Sequence, residues 1–192
     1  SYSEPRSGLA IRGIVVDSTS GQVLAYLPPS TQFGETLTDD RVQPGSLLAP
    51  IIALNGFAHG ESPSSLMWDI PSTLPADLAG TGNPDAAFHG PVSLRMAVAN
   101  DYLVPLANLA EQIGPSTVWQ MGASLGLNSL ANSTPSVRGL FAGEPVPLLE
   151  LSQVYATLAS SGVRSGAVNP LTKQIDLSMV LQVNSVSQRQ VL

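Results

Sequence analysis

Short β-like apolar runs occupy the start of the chain, and apolar residues at helical spacing dominate from position 93 onward. "AIRGIVVDSTSGQVLAYLP" holds two such runs, residues 11–16 and 22–26, joined by "DSTSG". The Asp, Ser and Gly of the joint supply turn chemistry, so the pattern predicts a β-hairpin. Pro28 and Pro29 end the second strand, because proline has no amide hydrogen to give a ladder. Residues 1–9 read as a linker, and residues 30–43 are polar and irregular. Residues 47–58 are apolar on nearly every face, which predicts a buried helix. Pro50 falls in its first turn, where few amides have an intrahelical partner.

Residues 61–91 are rich in Pro, Gly, Asp and Ser and are expected to form a long excursion with little regular structure. Loops of that length inside a compact domain are usually functional or packed by their own side chains. Beyond them, "SLRMAVAN", "VPLANLAEQIG", "STVWQMGASLG" and "LLELSQVYATLASSG" place apolar residues three and four apart, as amphipathic helices do. Residues 170–192 are expected to add one more helix. Two strands do not make a stable sheet. No further stretch reads as a strand, so the hairpin lacks companions and the domain is expected to be incomplete.

Composition narrows the function. The 192 residues suffice for one domain with a real core, or at most two small ones. Charged residues are 11% of the chain, against ~25% in an average globular protein. Surface polarity therefore falls to Ser, Thr, Asn, Gln and Gly. The net charge of −6 argues against nucleic acid, since no basic footprint exists to neutralise phosphates. With no cysteine, disulfides and cysteine-ligated zinc are excluded. The longest apolar stretch, "LLAPIIALNGFA", is broken by Pro50 and Asn55 and is too short to span a bilayer. "SYSEPRSG" lacks the basic-then-apolar pattern of a signal and reads as a cut inside a longer protein or a mature start.

Chemistry concentrates in "RVQPGSLLAP". Ser46 follows Pro44-Gly45 and opens the buried helix, a place suited to a nucleophile. The position one helical turn later, where an activating base could sit, is Ala49. Losing a positioned base removes ~10²–10⁴-fold of rate. The plainer role for Ser46 is a small residue capping free helix amides.

These segments, in this order, resemble the transpeptidase domain of penicillin-binding proteins, especially the bifunctional type, over about residues 10–162. "IVVDSTSGQVLAY" is similar to that family's opening hairpin, and "RVQPGSLLAP" to its Arg/Gln-Pro-Gly-Ser-x-x-Lys-Pro segment. "FHGPVSLRMAVANDYLVPLANLAEQIG" resembles the stretch through its Ser-x-Asn motif. "LGL" at residues 125–127 and "EPVPLLELSQVYATLASSG" also have counterparts. The resemblance implies an α+β fold in the manner of serine β-lactamases and D-Ala-D-Ala transpeptidases. Residues 10–192 would be a partial domain: the hairpin, the nucleophile-position helix and a helical lobe, with the later sheet strands missing from this chain.

Carried over position by position, the resemblance puts the nucleophile at Ser46, the lost base at Ala49, and the two Ser-x-Asn positions at Asp101 and Leu103. No Lys-Thr-Gly is present, and "LTK" at residues 171–173 lies in the wrong context. The implied function is a penicillin-binding-protein-like domain associated with peptidoglycan synthesis, catalytically inactive and serving as a binding or scaffolding module. The alternative is an active acyl-serine transpeptidase or carboxypeptidase using Ser46 with Asp101 as replacement base. Burial could raise the carboxylate pKa for that task, and an exposed loop or capping aspartate is the plainer role.

His59 is expected at a helix C-terminus beside free carbonyls. His89 occupies a position where the family often has histidine. Trp68, Trp119 and Tyr155 are expected in the core or lobe packing. No cofactor or metal is implied. Implied partners are peptidoglycan peptide or cell-wall synthesis proteins, and the hairpin edge suits self-association. The resemblance places the domain outside the cytoplasm, on a parent anchored in the membrane.

Overall fold

The computed structural model describes residues 12–27, 40–71, 78, 82–143, 145–179, 182–184 and 189–191; the linker expected over residues 1–9 and most of the irregular stretch 30–43 lie outside them. The chain divides into two compact units, Val42–Val146 and Ser1–Arg41 with Pro147–Leu192. The chain passes between the units through two-residue strands, β3 (Arg41–Val42) and β6 (Val146–Pro147).

In the unit built from the two chain ends, β1 (Gly13–Asp17) and β2 (Gln22–Leu27) pair antiparallel, as the β-like runs predict. A bulge between Val15 and Val16 leaves Leu24 as the extra residue. The turn is held by Asp17, whose carboxylate accepts from the Ser20 hydroxyl at 2.6 Å and the Thr19 amide at 2.9 Å. The Ser20 hydroxyl, more than the Thr19 amide, holds that carboxyl below its ordinary pKa. Helix α5 (Leu148–Ala159) packs against β1 and buries Leu151, Val154 and Ala156. At its end the Ser160 hydroxyl donates to the Ser18 carbonyl at 2.7 Å, tying helix to turn.

Among the described residues of the stretch 170–192, the expected helix is not formed. Strands stand there instead: β8 (Ile175–Asp176) pairs with β7 (Ala167–Val168), and β9 (Gln182–Asn184) with β10 (Arg189–Val191). The reason is legible afterwards: Ile175, Leu177, Met179, Leu181 and Val183 alternate with Asp176, Ser178 and Gln182, a period of two broken only by Val180. The hairpin edge is also partly covered. Val23 donates to the Ser178 carbonyl and the Ser178 amide donates to Gly21, each at 2.9 Å, so this chain supplies a parallel bridge on β2. Among the described residues every sheet has two strands, in keeping with a partial α+β fold.

The other unit is built round α1 (Ala49–Ala58), entered through a 3-10 turn at Gly45–Leu48. Ala49, Ile51, Ile52, Ala53, Asn55 and Gly56 of α1 are buried, as its apolar circumference predicts. It packs on α3 (Leu103–Ile113) and α4 (Pro115–Leu125). Gly56 permits the first contact: a Cβ there would stand 3.0 Å from Leu109 Cδ2. Asn55 finds a partner on the second, donating to Thr117 Oγ1 at 3.2 Å.

The stretch 61–91 is more ordered than expected. It carries β4 (Leu66–Asp69), paired antiparallel with β5 (Gly90–Ser93), which runs directly into α2 (Leu94–Ala99). Ser93 caps α2, its hydroxyl accepting from the Met96 amide at 3.3 Å. Ser93→Ala should therefore lower stability by about 1 kcal/mol in urea denaturation followed by circular dichroism. Trp119 is buried as expected, whereas Trp68 and Tyr155 are 52% and 38% exposed, so of the expected core or lobe-packing roles neither residue takes a core position.

Candidate functional site

Pro44-Gly45 bends the chain into the Ser46 turn. Gly45 has φ +51°, in the left-handed region that a side chain disfavours, and Pro44 is buried beside it. Ser46 is exposed and lies inside the 3-10 turn, with Pro44 in the capping position. Its hydroxyl makes no hydrogen bond among the described residues, so the expected capping role is not realised. A cap must stand just before the helix to reach its second or third amide, and Ser46 is already within the turn.

Ala49 is 1% exposed, and its amide donates to the Ser46 carbonyl. The position one turn along thus presents a buried methyl group and no proton acceptor. Asp101 adopts φ +55°, a conformation that aspartate tolerates better than most residues. Its exposed carboxylate makes no hydrogen bond or ion pair among the described residues, to Ser46 or to any other group. Leu103, half-buried, opens α3. Ser46 and Ala49 are thus held together by one turn of backbone, whereas no bond joins Asp101 or Leu103 to them.

What holds the Asp101–Leu103 turn is a polar cluster that sequence reasoning missed. Asp69, at the end of β4, is wholly buried. Its oxygens accept from Asn83 Nδ2 at 2.8 and 3.0 Å, from the His89 amide at 3.0 Å, and face His89 Nδ1 at 2.8 Å. Asn83 also donates to the Ala87 carbonyl at 2.7 Å and accepts from the Leu103 amide at 2.8 Å. The His89 ring stacks on Tyr102 with centroids 4.1 Å apart, and its Nε2 lies 3.0 Å from Asp85 Oδ2. Two strand ends, a loop and the start of α3 are fastened in this way. The residues are spaced 14 and 6 apart, so no periodicity announced them; "FHG" alone was noted.

His59 behaves as expected, with Nδ1 2.8 Å from the Asn55 carbonyl at the end of α1. Among the described residues no group of three or more His, Asp or Glu is arranged to hold a metal ion. None of their helices is long and apolar enough to cross a membrane.

A serine at the head of a buried helix, set in a helical unit, in a chain that also carries a hairpin backed by a helix, agrees with the transpeptidase-like α+β fold that the sequence resemblance implies. No family model matches the sequence. Penicillin-binding protein 1C of Escherichia coli (strain K12) is 31% identical over 170 residues, covering 82% of this chain and 21% of that protein. Penicillin-binding protein 1B of Vibrio cholerae serotype O1 is 28% identical over 180 residues, covering 88% of this chain and 22% of that protein. The chain thus spans about a fifth of the length of these curated relatives. PonA1 of Mycobacterium tuberculosis, solved in complex with penicillin V, superposes with a TM-score of 0.73 at 18% identity over 93% of this chain and 48% of that one. The chain resembles penicillin-binding proteins in sequence and matches part of their transpeptidase-like fold.

Proposed function

We propose that this chain is a non-catalytic transpeptidase-like module of an extracytoplasmic peptidoglycan-synthesis protein, acting by binding or scaffolding. The observation that carries the proposal is the buried Ala49 methyl where a base would have to meet the Ser46 hydroxyl. An alcohol far below its own pKa is a weak nucleophile and needs an adjacent base. Asp101, the replacement the motif positions offer, makes no bond to it. Without a base within hydrogen-bond reach, acylation loses the ~10²–10⁴-fold that proton transfer contributes. The groups of such a site act as a unit, so a lone serine retains little of its rate. The link to peptidoglycan rests on the curated relatives and on a structurally similar peptidoglycan glycosyltransferase from Burkholderia ambifaria, with a TM-score of 0.63 at 20% identity.

Incubation with a fluorescent penicillin, followed by mass spectrometry of the peptide containing Ser46, tests the proposal. Unmodified protein is the expected result. A stoichiometric adduct on Ser46 would overturn it.

A further inference from the structure

A cleft of about 330 Å³, whose lining does not include Ser46, lies between β4, the turn that follows α1 and one face of α3. Its volume is within the ~300–1,000 Å³ of small-ligand sites. Leu66 and Trp68 supply its apolar wall, with Trp68 52% exposed. Glu61, Asn108 and Gln112 supply its polar wall. Asn108 and Gln112 stand four residues apart on α3, so they share a face of that helix. The side chains of Glu61, Asn108 and Gln112 make no hydrogen bond to any described residue, leaving two carboxamides and a carboxylate available to a ligand.

We propose that this cleft binds a neutral, N-acetylated sugar strand. The donor set selects for it. A carboxamide donates and accepts at once, matching an acetamido group, and a carboxylate accepts from hydroxyls. No Lys, Arg or His lines the cleft, so phosphate and carboxylate ligands find no counter-charge. The negative face of an exposed indole attracts the polarised C–H edge of a sugar ring while removing apolar area from water. The proposal rests on the cell-wall reading above for the source of such a strand.

The test is titration of the 192-residue chain with β-1,4-linked N-acetylglucosamine oligomers, with cello-oligosaccharides and a sugar-free stem-like peptide as comparisons. Calorimetry and tryptophan emission are the readouts. Trp119 is 4% exposed, so a change in emission on binding reports Trp68. The acetylated oligomer should bind at least about tenfold more tightly than the cello-oligosaccharide, and Trp68→Ala should weaken it about tenfold. Gln112→Ala, at an exposed helical position, should weaken binding several-fold with no change in melting, which guards against misfolding of the Trp68 variant. Absence of binding, binding unchanged by both variants, or preference for the peptide would each overturn the proposal.

Penicillin labelling and sedimentation with isolated cell-wall sacculi separate the two claims. Unlabelled protein that sediments with sacculi but ignores the oligomers defeats the cleft and spares the module. A labelled Ser46 with a Trp68-dependent oligomer site does the reverse.

Discussion

Asp69→Ala is expected to lower the stability of the chain by at least about 2 kcal/mol, the scale of leaving buried donors without their acceptor. Four contacts converge on this carboxylate from Asn83 and His89, and none of its surface is exposed. Deleting it leaves the Asn83 amide and the His89 backbone amide without their acceptor. Asn83 is also the acceptor for the Leu103 amide, so the first turn of α3 should loosen with it. Urea unfolding measures the loss, and amide exchange at Leu103 measures the loosening. Asp69→Asn should not rescue, because its carboxamide nitrogen would face donors. The cluster is not a fastening if Asp69→Ala costs less than about 1 kcal/mol, the net worth of one ordinary hydrogen bond.

The second large effect is expected at Gly21 and Gly166. Gly21 has φ +74°, and a Cβ there would collide with the Ser165 carbonyl. Gly166 has φ +147°, and its Cβ would strike the Asp176 carbonyl. These neighbours are backbone and cannot swing aside, so strain and overpacking act together. Either glycine changed to Ala should cost at least about 2 kcal/mol in thermal or urea unfolding. Gly60→Ala supplies the comparison: its φ is +99°, but nothing lies within 4 Å of the added carbon. Its loss should stay near the strain alone, about 1 kcal/mol. Equal losses at Gly21 and Gly60 would mean that close packing of the hairpin turn against Ser165 contributes nothing.

A lysine introduced at position 49 would carry a cost in the core. Ala49 is 1% exposed beside Leu48, also 1% exposed, so a lysine there must find a route for its amine past packed aliphatic carbon. Ala49 is part of the core of the helical unit.

Local chemistry settled much of this protein in advance. Turn residues between two β-like runs specify the β1–β2 hairpin, and the unbroken apolar character of residues 47–58 specifies a buried α1, because both signals act within a few residues. The placement of Ala49 one turn after Ser46 was legible for the same reason. Residues 175–183 carried their alternation openly, and the helix expected there was a misjudged period. Tertiary structure alone decided the rest. The pairing of β4 with β5 and the gathering of Asp69, Asn83, His89 and Tyr102 join residues up to 33 positions apart through hydrogen bonds and stacking that have no sequence period. Burial of Asp69 and exposure of Trp68, neighbours in one strand, show why: successive strand side chains take opposite faces, and which face meets the core is fixed by what packs against the strand.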